Sequence, residues 1–182
     1  MRIQPIELQG VLVIEPEVFS DARGYFLETY NAKTFAEAGI SELFVQDNHS
    51  QSKRGVLRGL HYQNAKPQGK LIRVLQGEIF DVVVDLRPES RTYGKWSGFN
   101  LSAREQKIVW IPKGFAHGFY TLSEIAAVVY KVTEFYAPQD ERVILWNDPD
   151  LAICWPLQGE PILSEKDKAG QSFREIRKLG RG

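Results

Sequence analysis

Short β-prone runs separated by turn residues dominate the chain. "VLVIE" is the first of them, and "GYFLETY" alternates strictly. An extended backbone there would put Tyr25, Leu27 and Thr29 on one face and Phe26, Glu28 and Tyr30 on the other. "LFVQDNHSQS" and "VLRGLHYQ" follow, and "KLIRVLQGEIFDVVVDLR" reads as two strands around a turn near Gln76-Gly77. "KWSGFNLS", "KIVWIP", "HGFYTL" and the long "AAVVYKVTEFYA" complete the series. Helical patterning is confined to "NAKTFAEAG", from Asn31 to Gly39, and to the tail "SEKDKAGQSFREIRK", where Ser164 is a candidate N-cap. About ten strands in one unit imply a sandwich or barrel, and a jelly roll is a main way of managing exposed sheet edges.

Composition narrows the partners. With 182 residues the chain has the length of one domain, expected to span 1–182. Lys+Arg and Asp+Glu balance at 23 each, which gives no reason to expect nucleic acid or an anionic membrane as partner. A local basic pocket for a small anion stays open. The single cysteine, Cys154, excludes an internal disulfide, and its apolar setting in "AICWP" points to the core. "MRIQPIELQG" lacks the apolar stretch of a signal peptide, and no apolar run approaches the length of a membrane span. A cytoplasmic protein is the expectation.

The candidate chemistry starts from "LRGLHYQNAKPQGK", which sets His61 between Arg58 and Lys70. His61 is one of three histidines, and a metal ligand, a proton-transfer base and a core histidine are its possible roles. "WIPKGFAHGFY" contains Pro112-x-Gly114-x-x-His117 and resembles the second motif of the cupin superfamily. Metal-binding cupins also carry two histidines one residue apart in a first motif, followed by a glutamate. Here that place reads His61-Tyr62-Gln63, and Lys70 stands where a carboxylate would be wanted. An ammonium among the ligands opposes a divalent cation, and His49 has no ligand spacing. No metal is expected.

A wider set of motifs occurs in order: "FSDARGYFLETY", "FVQDNHSQSKRGVLRGLHYQ", "QGKLIRV", "GEIFDVVVDLR", "TYGKW", "WIPKGFAHGFY", "YKVTEFYAPQDE", "WNDPDLAICWP" and "LSEKD". Together they closely resemble the dTDP-4-dehydrorhamnose 3,5-epimerase family, from about Phe19 to Asp167. The resemblance implies a cupin-like double-stranded β-helix with short flanking helices, a homodimer, a dTDP-sugar substrate and no cofactor. The implied reaction inverts C3 and C5 of dTDP-4-dehydro-6-deoxy-D-glucose. Nearest alternatives are a relative that epimerises only C3 or only C5, and a keto-isomerase.

By the same resemblance His61 is the base, oriented by Asp167; Lys70 faces the enolate, and Tyr130 returns the proton. Substrate contacts fall on Arg23, Phe26, Glu28, Gln46, Asn48, Arg58, His117, Tyr136, Glu141 and Lys166. Tyr136 matches the residue that stacks on the thymine ring, and strand parity with Tyr130 would aim both at one cavity. Some nucleotide contacts are expected to come from a partner subunit. Two departures matter. The interval from His61 to Lys70 is one residue shorter than the family's, and Arg58 and His61 have opposite parity unless Gly59 marks a bulge.

Overall fold

The computed structural model describes residues 1–179. Strands β1 (Arg2–Pro5), β2 (Leu12–Glu15), β3 (Val18–Asp21) and β4 (Gly24–Leu27) precede helix α1 (Ala32–Glu37). Then come β5 (Gln46–Lys53), β6 (Leu57–Gln63), β7 (Lys70–Gln76), β8 (Glu78–Asp85) and β9 (Trp96–Ser102). β10 (Ile108–Ile111), β11 (Phe115–Thr121), β12 (Ile125–Val132) and β13 (Glu141–Val143) follow, with α2 (Glu165–Lys168) and α3 (Phe173–Leu179) after them.

One antiparallel sheet has the order β1-β2-β10-β7-β12-β5 and the other β13-β6-β11-β8-β9. From β5 to β8 the chain changes sheet at every step, and it does so again from β9 to β13. This is the expected jelly roll. Gly77 makes the expected turn after β7, at φ +76° and so close to Ile125 that a Cβ there would lie 2.0 Å from its carbonyl oxygen. The two strands it joins enter opposite sheets. Both carry an apolar inward row, Ile72 and Val74 on β7 and Ile79 and Val83 on β8, and the crossing lets the rows meet.

That meeting is the central core. Val109, Ile111, Ala126 and Val128 come to it from the first sheet, and Leu101, Phe115 and Phe119 from the second. The outer faces are covered as well. Val82, Val84 and Ala116 pack under Leu151, Phe173 and Ile176. Ile14, Leu71, Ile108 and Trp110 pack under Phe35 and Ile40. Strands that are apolar on both faces are what two covered sheets require.

α1 begins as its sequence predicts: the Asn31 side chain accepts from the Lys33 and Thr34 N–H groups, and Gly39 takes a positive φ just beyond the end. The tail forms two helices rather than one. Ser164 caps α2, but Gln171 then bridges to Ile144 and interrupts the helical run before α3. Cys154 is exposed, contrary to expectation. Its neighbours Ile153 and Trp155 turn onto the packed outer face, and alternation sends the thiol outward. Among the described residues no helix is long and apolar enough to cross a membrane.

Candidate active site

Along several strands the inward-facing row changes from apolar to polar toward one mouth of the barrel. On β7, Ile72 and Val74 lie in the core while Lys70 reaches the mouth. On β12, Ala126 and Val128 give way to Tyr130. β5 contributes Gln46, Asn48 and Ser50, β6 contributes His61 and Gln63, and β11 contributes His117. Together with Arg58, Gln68, Tyr136, Glu141 and Lys166 they line a cavity of about 310 Å³.

Arg58 and His61 share this cavity because β6 is irregular at Gly59. The pairing of β6 with β11 shifts register between His117 and Phe119, directly opposite. Gly59 has φ +116°, and a Cβ on it would lie 2.6 Å from the Gly118 Cα. No side chain fits there, and the break cancels the parity difference between Arg58 and His61. Arg58 is then fixed by its Nε donating to Ser52 Oγ at 2.9 Å and its Nη2 to the Gln51 carbonyl at 3.2 Å.

His61 Nε2 lies 2.5 Å from Asp167 Oδ1. Asp167 is buried, and it also accepts from Ser164 Oγ at 2.7 Å and from the Gly59 N–H at 3.4 Å. Burial alone would raise its pKa; the hydrogen bonds from His61 and Ser164 outweigh that and hold the carboxyl below its ordinary range. A carboxylate bonded to Nε2 places the ring proton there and leaves Nδ1 as the basic nitrogen.

A second imidazole–carboxylate pair lies beside the first. His117 pairs with His61 across the sheet, and its Nε2 is 2.7 Å from Asp81 Oδ2. Burial lowers the His117 pKa despite Asp81, so this ring is neutral at pH 7. Asp81 belongs to the inward row of β8 with Ile79 and Val83, and its Oδ1 has no hydrogen-bond partner among the described residues. Lys70 is buried, with Nζ 3.3 Å from the His61 carbonyl. Desolvation lowers its pKa to about 8, even though Asp81 and Glu141 favour the charged form. The shortened interval therefore still delivers Lys70 to the cavity.

Tyr130 enters from the sheet opposite His61. Burial pushes its phenol above the ordinary range, more strongly than Arg58 pulls it down. Tyr136 lies beyond the end of β12, so strand parity does not place it; its loop does. Its hydroxyl donates to Glu141 Oε2 at 3.0 Å, and Lys166 Nζ donates to the same oxygen at 2.7 Å. Burial works against both charges of the Glu141–Lys166 pair, but their contact prevails, lowering the Glu141 pKa and raising that of Lys166.

Arg23, Phe26 and Glu28 do not join the cavity. Arg23 and Phe26 sit on the β3–β4 hairpin, which pairs only with itself. Arg23 bonds Asp21, and Glu28 accepts from Asn31 Nδ2 at 3.0 Å. Phe26 is 69% exposed. Ser50, Gln68, Asp81 and Gln63 escaped the sequence reading, and Ser50 and Gln68 carry no signal that singles them out. Asp81 was signalled by an acid in the inward row of an otherwise apolar strand; Gln63 was noted only as a missing histidine. Among the described residues no group of three or more His, Cys, Asp or Glu side chains is placed to hold a metal ion.

A family model described as dTDP-4-dehydrorhamnose 3,5-epimerase matches residues 5–175. The dTDP-4-dehydrorhamnose 3,5-epimerase of Pseudomonas aeruginosa is 55% identical over 176 residues, covering 96% of this chain and 97% of its own. The protein of the same name from Methanothermobacter thermautotrophicus is 55% identical over 176 residues, covering 96% and 95%. The crystal structure of the Legionella pneumophila dTDP-6-deoxy-D-glucose-3,5-epimerase in complex with dTDP-4-keto-L-rhamnose has a TM-score of 0.93 and 48% identity over 96% of each chain. A cupin-type barrel with this cavity, matched over nearly its whole length by such relatives, is an isomerase of the epimerase class. The chain belongs to the dTDP-4-dehydrorhamnose 3,5-epimerase family.

Proposed function

We propose that the protein inverts C3 and C5 of dTDP-4-dehydro-6-deoxy-D-glucose to give dTDP-4-dehydro-L-rhamnose, with His61 as base and Tyr130 as acid. One observation carries the assignment of roles: an imidazole–carboxylate pair and a protonated phenol enter one cavity from opposite sheets.

The C4 ketone acidifies the hydrogens on both neighbouring carbons. His61 Nδ1 removes one of them, and the electron pair moves through the C–C bond onto O4. The Lys70 ammonium meets the charge that develops there. Tyr130 then delivers a proton to the same carbon from the other face, which inverts it. The ketone is itself the electron sink, so the reaction calls for no cofactor. The ring then repositions, His61 releases its proton to solvent while Tyr130 regains one from it, and the sequence repeats at the second carbon. Neutral His117 suits a hydrogen bond to a sugar oxygen. Arg58 suits the diphosphate, where a guanidinium forms paired hydrogen bonds. Tyr136 supplies a face for the thymine ring.

Arg23, Phe26 and Glu28 fit this scheme through a partner. The β3–β4 hairpin exposes Phe19, Tyr25 and Phe26 together, an apolar surface that a second copy would cover. In a homodimer the hairpin would bring Arg23 and Phe26 to the neighbouring cavity, with Glu28 beside them. The cytoplasm, source of nucleotide sugars, is the proposed location.

Turnover in deuterated water tests the reaction. NMR of the product should show deuterium at both C3 and C5. Deuterium at a single carbon would indicate a mono-epimerase, and an unlabelled, unchanged substrate would end the proposal. The Tyr130→Phe variant should lose about 10²-fold in epimerisation while losing less in substrate exchange, because abstraction does not need the phenol. Equal losses in the two assays would remove Tyr130 from the acid role.

A further inference from the structure

Gln63 occupies the position at which metal-binding cupins carry a second histidine, and it is 5% exposed. Its carboxamide is engaged by backbone groups of the chain itself. Nε2 donates to the Lys66 carbonyl at 2.8 Å and to the Phe135 carbonyl at 3.2 Å. Oε1 accepts from the Ala137 N–H at 2.9 Å. Both N–H groups are therefore engaged, and the side chain bonds the residue before Tyr136 and the residue after it. It reads the two flanks of Tyr136 as a neighbouring strand would. The backbone of Gln63 pairs with Glu141, whose carboxylate holds the Tyr136 hydroxyl. Gln46 Oε1 accepts from the Tyr136 N–H itself at 3.0 Å.

We infer that Gln63 is a positioning residue, bracketing the Tyr136 segment so that the aromatic ring is held in place for the nucleotide base. The inference rests on the proposed stacking role of Tyr136. The chemistry is selective. Two donors and one acceptor are needed on a single planar group with a two-carbon stem. Glutamate has the acceptor but no donor, asparagine is one carbon short, and methionine matches the length with no comparable polar group. Without the bracket, two carbonyls and an N–H lose their partners and the segment between them is free to shift. Ordering the ring would then fall to ligand binding, which weakens binding without touching the proton-transfer groups.

The test is a double-mutant cycle on the full-length protein, with dTDP as probe in titration calorimetry and the keto sugar nucleotide in turnover. Tyr136→Ala should weaken dTDP binding by about 10-fold, the scale of base–aromatic stacking. Gln63→Met should weaken it by a comparable factor and raise KM, while kcat at saturation stays within about twofold, since His61, Lys70 and Tyr130 are untouched. The double variant should bind no worse than Tyr136→Ala alone, because Gln63 acts through that ring. If Gln63→Met does not fold, Gln63→Glu carries the same expectations, since it keeps the acceptor for Ala137 and loses both donors. Losses that add in the double variant, or unchanged dTDP affinity in the Gln63 variant beside a weakened Tyr136→Ala, overturn the inference alone. Unchanged affinity in Tyr136→Ala removes the stacking role beneath it.

Discussion

Replacing His61 with alanine is expected to reduce deuterium incorporation at both C3 and C5 by about 10³-fold or more, the upper range for removal of a general base. Both positions should be affected alike, because one imidazole serves both abstractions. Affinity for dTDP should change little, since the nucleotide contacts proposed for Arg58 and Tyr136 do not pass through the ring. Asp167 loses its strongest partner in this variant, but it keeps hydrogen bonds from Ser164 and Gly59. The cost in stability is on the order of 1–3 kcal/mol, so the protein should remain folded. Exchange measured by NMR, beside a melting curve and a dTDP titration, gives a clear result. Persistent exchange at either carbon in a folded, dTDP-binding variant would assign the base elsewhere, and His117 would be the next candidate.

Lys70→Met is the second large effect. Turnover should fall on the order of 10²-fold, since the enolate oxygen loses its charged partner while the neighbouring packing is preserved. Lys70 also sets a pH dependence. Its pKa is lowered to about 8 by burial, so the ammonium is charged below that pH and neutral above it. In the wild-type protein kcat/KM should decline as pH rises through about 8. In Lys70→Met the residual activity should lack this alkaline limb. A wild-type profile that is flat from pH 7 to about 9.5, or an unchanged limb in the variant, would detach Lys70 from the chemistry.

The sequence made the strand inventory legible because most strands are apolar on at least one face and are separated by turn residues. β1, β3 and β13 were missed: each is short, at three or four residues, and takes its place by pairing rather than by pattern. Parity was reliable along regular stretches of strand and failed at the break in β6 and beyond strand ends. It would have aimed Arg58 away from His61, but the close approach of Gly59 to Gly118 reverses it. It aimed Tyr136 correctly for the wrong reason, since Tyr136 lies four positions past the end of β12 and loop hydrogen bonds position it. The His61–Asp167 pair came from motif resemblance; no local pattern links residues 106 apart. Asp81 and Gln63 were obscured because their partners are contributed by other strands and loops. Cys154 was misplaced because composition around a residue says less than which way alternation turns it.

The single turn of α2 has a consequence for biogenesis. Asp167 reaches the barrel from far down the polypeptide, after every strand has already emerged during synthesis. A nascent chain that has just completed its strands can in principle close the barrel and present His61, but it has nothing to fix the imidazole's tautomer. In the proposed mechanism, a chain terminated before α2 would therefore lack the carboxylate that orients His61, and turnover would wait on the docking of this late segment.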